Sequence, residues 1–158
     1  SLSRPLSKGS IVGFSEVHTR EHLYRAILEG IAYALREGLE EIQRSQHHKI
    51  SRLMISGGGS QSPAICQITA DIFGLPVSRV QTFETTSLGS AIACFVALGE
   101  FSSVEEAIKA MSHKSSTFVP DSKAHQQYEY LYKKVYLKMY PKLKNIHKDL
   151  YNFGKKAK

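Results

Sequence analysis

The sequence predicts an α/β protein with a thin, mostly parallel sheet, flanked by helices and followed by a long C-terminal helix. Short apolar runs alternate with stretches in which apolar residues recur at three- and four-residue steps, as in strands that alternate with helices. The chain has 158 residues, 42% of them hydrophobic, which fits one domain with a sizeable core rather than a disordered chain.

The first predicted elements are a strand over Lys8–Phe14 and a long helix. Residues 1–7 are interpreted as a tag or a disordered or extended lead-in. Thr19 can cap the helix, which runs to about Gln46. Its aliphatic row is predicted to face the core and comprises Leu23, Ile27, Ile31, Leu35, Leu39 and Ile42. A second row contains small residues, at 26, 30, 34 and 38. Because a glycine inside a helix costs about 1 kcal/mol, the two glycines of this row predict close approach of another backbone.

Two more strands enclose a short helix. The first of them, over residues 51–56, is mostly apolar and therefore suited to a strand with both faces covered. Ser62 as N-cap and Pro63 at the first helical position begin the helix, and Gly74 followed by Pro76 ends it. Residues 77–83 form the third predicted strand.

Three helices complete the predicted order. One follows Glu84 and stops at Gly99. Ser102 and Glu105 form a capping box for the next helix, which ends near residue 111. Residues 113–120 are interpreted as a connection without a strand. Asp121 or Ser122 then caps the terminal helix, which Pro141 is expected to kink or divide.

Positive charge is concentrated in the tail. Residues 1–121 carry 11 Lys and Arg against 12 Asp and Glu, whereas residues 122–158 carry 10 Lys, no Arg and 2 acids. The tail also has an apolar stripe at helical spacing, made of Tyr128, Leu131, Val135, Met139, Leu143, Ile146 and Leu150. We therefore interpret residues 121–158 as a basic helical extension that packs on the same lobe through tyrosines and aliphatic residues, with its lysines in solvent. Nucleic acid is not an expected partner.

Composition also bears on the cellular setting. Two cysteines, without a CxxC pair, form neither a disulfide framework nor a zinc knuckle, which favours a reducing cytoplasm. No apolar run approaches the ~20 residues that span a bilayer, so no membrane partner is predicted.

The run Gly57-Gly58-Gly59-Ser60, between a strand and a helix, is the main chemical clue. Glycines let backbone N–H groups approach a ligand, and a helix N-terminus favours negative charge. The run is neither a P-loop nor a GxGxxG motif. A structural turn, a nucleotide site and another ligand site all stay open. Because the run contains no lysine for phosphates, it suits the adenosine end of a nucleotide, with Gly57, Gly58, Gly59, Ser60 and Ser62 as the candidate binding residues.

Other candidate groups are weaker. His18 and His22 are four residues apart, but no third ligand is evident, so no metal site is predicted. The position of Asp71 within a helical apolar pattern favours a capping or ion-pair role over a catalytic one. Glu84 stands at a strand end, where α/β proteins place ligand contacts, or else orders its loop. No residue is assigned as catalytic.

Three ordered motifs resemble the FGGY family of carbohydrate kinases, which includes xylulose, ribulose, gluconate and glycerol kinases. The first motif is GxIxGF at residues 9–14, followed by HLYRAILEG at 22–30. The second is SGGGSQSP at residues 56–63, followed by ADIFGLPV at 70–77. The third is ETTSLGSA at residues 84–91. The first motif discriminates against other actin-like families.

The resemblance implies a partial actin-like (ribonuclease H-like) ATPase domain, with residues 8–120 as the ATP-side C-terminal lobe. It implies ATP-dependent phosphorylation of a sugar or polyol hydroxyl with Mg²⁺. Gly58 and Ser62 fall where the family contacts the adenine nucleotide, and Gly57 and Gly59 shape the loop. Glycerol kinases usually have an asparagine at the place of Ser62, which argues against glycerol as the substrate.

The family's phosphate loop, sugar-contacting residues and catalytic aspartate lie upstream of the matched region. We therefore expect a truncated part of a kinase, inactive alone, that meets its sugar through a missing N-terminal lobe and covers exposed apolar surface by forming a homodimer. Two alternatives are a nucleotide-binding module of another actin-like ATPase family and a non-catalytic interaction domain with a basic tail.

Overall fold

The computed structural model describes residues 9–46, 49–82 and 84–156. The lead-in, Lys8 of the first predicted strand and Phe83 of the third lie outside the described residues. The helices are α1 (Arg20–Gln46), α2 (Pro63–Phe73), α3 (Thr85–Ala97), α4 (Val104–Met111), α5 (Ser122–Leu131) and α6 (Leu137–Lys156). The strands are β1 (Leu53–Ile55), β2 (Val77–Val80) and β3 (Lys114–Phe118). A 3₁₀ turn covers Gly58–Gln61, and a π-helical turn covers Tyr132–Tyr136.

The described strands form one thin sheet in the order β1-β2-β3. β1 is parallel to β2, and β3 is antiparallel to β2, so one of the two pairs is parallel. The α/β prediction is confirmed, but the prediction of a connection without a strand over residues 113–120 is wrong. The sequence Lys-Ser-Ser-Thr-Phe has one apolar residue and therefore no strand-like periodicity; its strand forms by pairing with β2.

The predicted first strand is also wrong over its described part. Residues 9–14 have no strand structure, and Ile11 is 65% exposed. A strand needs a neighbour to accept and donate its backbone hydrogen bonds, and no described strand pairs with this segment.

The limits of α2 follow the predicted signals. The Ser62 Oγ accepts a hydrogen bond from the Ile65 N–H at the N-terminus of the helix. Gly74 ends the helix at φ +64°, in the left-handed region that glycine tolerates, and its N–H donates to the Ala70 carbonyl. The helix buries Cys66, Ile68, Ala70, Asp71 and Ile72.

Helix α1 has the predicted length but buries the opposite face. Ala32, Tyr33 and Arg36 are buried, whereas Ile31 is 55% and Leu35 62% exposed. The small-residue row makes no close backbone contact where it is described: residues 26 and 34 are exposed, and a Cβ added at residue 30 would meet no atom within 4 Å. The prediction about the aliphatic face is therefore wrong, and the prediction about the small-residue row is wrong at residues 26, 30 and 34. The helix packs through Tyr33 and its neighbours against α2 and the tyrosines of the tail.

Aromatic residues of the tail complete this core. Tyr33, Tyr128 and Tyr132 are buried together with residues 32, 68 and 72, and Tyr136 packs against them in part. The tail therefore docks mainly by its tyrosines, whereas four aliphatic residues of its stripe remain exposed: Leu131, Val135, Ile146 and Leu150. The predicted docking through aliphatic residues is wrong at these four positions because the tyrosine row, which includes Tyr132 and Tyr136, faces α1.

Three local details refine the helical tail and α4. Asp121 is the N-cap of α5, as predicted. The helix is divided at the π-helical turn rather than at Pro141, which lies inside α6. The N-cap of α4 is Ser103, one residue beyond the predicted Ser102; its Oγ accepts from the Glu106 N–H, and the Glu106 carboxylate accepts from the N–H and the hydroxyl of Ser102. Among the described helices, none is long and apolar enough to cross a membrane.

Candidate functional site

The glycine turn, residues 57–62, lies at the edge of the sheet where β1 and β2 both end. The carboxyl ends of parallel strands meet at the same edge, which is where α/β proteins place ligands. The turn follows β1, and α3 follows β2. The Thr85 hydroxyl at the start of α3 donates to the Ser56 hydroxyl over 3.5 Å. The two segments that leave the parallel strands are therefore neighbours.

The backbone of the turn requires a glycine at its first position. Gly57 has φ +83°, a conformation that residues with a side chain rarely adopt. The Ser60 N–H donates to the Gly57 carbonyl at 3.1 Å, and the Ser62 N–H donates to the Gly59 carbonyl at 3.3 Å. These bonds close a tight turn that leads directly into α2.

The outer side of the glycine turn is open. Gly58 and Gly59 are exposed, and a Cβ added at Gly57 or Gly58 would meet no atom within 4 Å. At Gly59 it would meet only the Ile65 side chain, at 4.0 Å. The first N–H groups of a helical turn have no intrahelical acceptor, so these amides can donate to a ligand. The exposed backbone of the turn can therefore contact a flat group of a ligand, because no side chain covers it.

The two predicted serines have structural roles in the turn. Ser60 is 3% exposed, and its hydroxyl donates to the Gly57 carbonyl at 2.7 Å. The Ser62 Oγ accepts from the Ile65 N–H at 3.4 Å. Both hydroxyls stabilise the turn and the start of α2, and contact of either with a nucleotide stays a prediction.

Arg79 is a residue of the site that sequence reasoning missed. Its Nη1 donates to the carbonyls of Ser60 and Gln61 at 3.4 and 3.5 Å. A cavity of about 240 Å³ beside it is lined by Ser60, Gln61, Arg79, Val80, Gln81 and Ser115. The available signal was a charged residue between the apolar positions of a short strand directly before the site edge.

A buried thiol lies beneath the turn. The Cys66 Sγ donates to the Ser60 carbonyl at 3.5 Å. Burial raises the pKa of this thiol, so the protonated form persists at neutral pH and the residue supports the turn rather than acting as a nucleophile.

The two histidines near the start of α1 act as local hydrogen-bond acceptors. His18 Nδ1 accepts from the Ser15 N–H at 3.0 Å, and His22 Nδ1 accepts from the Thr19 N–H at 3.2 Å. Within the described ranges, no group of three or more His, Cys, Asp or Glu side chains is arranged to hold a metal ion.

The two predicted carboxylates lie apart. Asp71 is buried in α2 and accepts from the Gln67 side chain and the Asp121 N–H, both at 2.8 Å, which joins α2 to the start of α5. Glu84 is exposed at the N-cap position of α3, where its side chain makes no capping bond. Its predicted contact with a ligand stays open.

Comparisons with known proteins all identify the same group of enzymes, the carbohydrate kinases. Residues 2–98 match the model of the C-terminal domain of the FGGY family of carbohydrate kinases. A xylulose kinase of Lactococcus lactis is 33% identical over 148 residues, which are 93% of this chain and 29% of that protein. A glycerol kinase of Caldanaerobacter subterraneus is 43% identical over 100 residues, which are 63% of this chain and 20% of that protein.

A solved structure gives the same result for the fold. The crystal structure of the xylulose kinase from Rhodospirillum rubrum matches with a TM-score of 0.75 and 26% identity, over 90% of this chain and 29% of that one. The chain therefore spans less than a third of the length of these relatives. The matched region includes the glycine turn and the start of α3.

Proposed function

Because this chain belongs to the FGGY family of carbohydrate kinases, we propose that it forms the ATP-binding part of an enzyme that transfers the γ-phosphate of ATP to a sugar or polyol hydroxyl. One observation carries the proposal: a turn of three glycines, open on its outer side, lies at the carboxyl edge of the parallel strands and inside the matched region. An actin-like ATPase fold for the whole enzyme is consistent with this placement.

The glycine turn holds the adenosine end of the nucleotide in this proposal. The base or ribose lies against the exposed backbone of Gly58 and Gly59, and Gly57 provides the left-handed bend that exposes them. The turn itself contains no Lys or Arg, so the phosphates extend beyond it. Phosphoryl transfer depends on positioning the nucleotide and on neutralising its charge, and this turn contributes to positioning.

The remaining chemistry is assigned to residues outside this chain. The described residues offer no cluster for a divalent cation, so Mg²⁺ would be held by the phosphates and by groups elsewhere in the enzyme. No acid of this chain is assigned as the base that orients the acceptor hydroxyl. We propose accordingly that the isolated chain does not phosphorylate a sugar or polyol.

The exposed aliphatic row of α1 supports a proposal about association. Ile27, Ile31 and Leu35 line one side of the helix in solvent. An adjoining groove of about 410 Å³ is lined mainly by apolar residues of α1, of the segment before it and of the tail. Large contiguous apolar surface marks an interface, so the isolated chain is proposed to pair with a second copy through this face.

A calorimetric titration of the chain with ATP and with ADP tests the proposed function. Gly58→Leu places a side chain in the space assigned to the nucleotide, and Gly154→Leu is the matched control. At both positions an added Cβ meets no atom within 4 Å, so neither substitution is strained by its neighbours. We expect saturable binding that Gly58→Leu weakens at least tenfold and that Gly154→Leu leaves within twofold. Absence of binding, or equal binding by Gly58→Leu and the unchanged chain, would refute the proposal.

A further inference from the structure

We propose that Arg79 is a positioning residue, which fixes the glycine turn in the shape that receives the nucleotide without contacting the nucleotide itself. This inference rests on the proposed function. It deepens that function by assigning a role to a residue that lies outside the three sequence motifs.

Arg79 is held in place from two strands. It pairs with Ile55 of β1 on one side and Ser116 of β3 on the other. Its Nε donates to the Ser116 Oγ at 3.2 Å, and its guanidinium carbon lies 5.9 Å from the centre of the Phe118 ring. The sheet therefore fixes the direction of the side chain before it reaches the turn.

The guanidinium acts on two consecutive peptide units. Nη1 lies 3.4 Å from the Ser60 carbonyl oxygen and 3.5 Å from that of Gln61. Because a peptide unit is planar, orienting these carbonyls also orients the N–H groups of Gln61 and Ser62. Ser62 is the N-cap of α2, so Arg79 sets the junction between the turn and the helix.

The charge of Arg79 is directed to peptide carbonyls rather than to an acid. Among the described residues, no carboxylate lies within ion-pair distance of its guanidinium. The last carbonyls of a helical turn have no intrahelical donor, and a charged donor bonds them more strongly than a neutral one. The rigid fork of arginine can serve both oxygens while Nε stays bonded to Ser116, which lysine cannot do.

An alternative role for the same residue is direct binding of the nucleotide phosphates, and the two roles predict different responses. Replacing a positioning residue weakens the binding of adenosine and of ATP equally, because the turn receives the adenosine part that the two ligands share. Replacing a phosphate-binding residue weakens the binding of ATP and leaves the affinity for adenosine unchanged.

The test measures affinity for adenosine and for ATP in Arg79→Met, Arg79→Lys and the control Arg52→Met, which removes an exposed positive charge near β1. We expect Arg79→Met to weaken the binding of both ligands by about tenfold and Arg79→Lys to recover part of that loss for both. The affinities of Arg52→Met for both ligands should stay within twofold of those of the unchanged chain. Thermal melting of each unliganded variant shows whether it is folded, and Arg79→Lys carries the test if Arg79→Met is not.

The outcomes separate this inference from the proposed function. Weakening of ATP alone would overturn positioning in favour of phosphate binding, and unchanged affinity for both ligands would remove any role of Arg79. Either result leaves the proposed function standing. An unchanged chain that binds neither ligand overturns the proposed function, and this inference with it.

Discussion

Replacement of Arg36 by methionine is expected to lower the stability of the fold strongly, because this buried guanidinium joins three helices. Arg36 is 8% exposed and belongs to α1. It donates to the Ile72 carbonyl at the end of α2 at 2.8 Å, and it pairs with Glu129 of α5 and with Glu40 of its own helix. Its guanidinium carbon also lies 4.2 Å from the centre of the Tyr132 ring.

The magnitude follows from these contacts. The charged hydrogen bond to the Ile72 carbonyl contributes about 1.5–3 kcal/mol. The cation–π contact with Tyr132 contributes about 0.5–2 kcal/mol, and the pair with Glu40, four residues on, about 0.3–0.5 kcal/mol. In the variant, Glu129 keeps its ion pair with Lys133, which limits the free-energy cost of losing its pair with Arg36. Methionine keeps the apolar stem, so the net loss is about 3 kcal/mol of the free energy of unfolding.

Urea denaturation at neutral pH measures this loss, with Arg20→Met as the control. Arg20 has a side chain that is 93% exposed and pairs only with the adjacent Glu21 among its described contacts, so its replacement should leave the midpoint unchanged. A loss below about 1 kcal/mol in Arg36→Met, at an unchanged denaturant slope, would refute the view that Arg36 joins the helices.

Three further outcomes are expected. The double change Ile31→Glu and Leu35→Glu should convert the proposed dimer into a monomer in light scattering, because it places charge on the exposed face of α1. Ser103→Ala should lower stability by about 1 kcal/mol in urea, since Ser103 caps α4. The pKa of Glu129 is lowered by its bonds to Lys133 and Arg36, which outweigh its partial burial, so its carboxylate stabilises the fold at neutral pH. That contribution is lost as the pH falls below the ordinary value of 4.5 and through the lowered one, and Glu129→Gln should reduce the loss of stability between neutral and acid pH.

Each outcome has a matched control. Leu98→Glu changes an exposed apolar residue at the C-cap of α3 and should leave the proposed dimer intact. Ser103→Thr, which keeps a capping hydroxyl, should change stability much less than Ser103→Ala; equal losses in the two variants would contradict the assigned cap. Asp149→Asn removes an exposed acid of α6 and should preserve the pH profile. An acid response of Glu129→Gln identical to that of the unchanged chain would contradict the assigned ion pairs.

Elements whose limits are set by local chemistry were predicted well. The signals that bound α2 are a capping hydroxyl, a proline and a left-handed glycine, and each acts within one helical turn. The cap at Asp121 is of the same kind. Such signals do not depend on what the rest of the chain does, so sequence alone identifies them.

Elements that depend on distant partners were predicted poorly. β3 is a strand because β2 lies beside it, and its own sequence is polar. The faces of α1 were assigned wrongly for a related reason. Periodicity identifies an aliphatic row through Ile31, but the core of the described residues forms around Tyr33 and Arg36, which also bond to groups on other helices.

The same contrast between local signals and distant partners applies to the candidate site. The glycine turn was found from the sequence because Gly57 and its neighbours are consecutive. Arg79 was missed because it lies about 20 residues downstream of the carbonyls that it binds and reaches them only through the parallel pairing of β1 and β2.

The backbone amide NMR spectrum of the isotope-labelled chain, recorded during addition of ADP, tests the central claim most directly. Contact of the nucleotide with the glycine turn predicts that the amide signals of Gly58 and Gly59 shift the most, while those of Gly30 in α1 and Gly154 in α6 stay in place. Stationary signals from Gly58 and Gly59 at saturating ADP, or shifts confined to the lysine-rich tail, would contradict it.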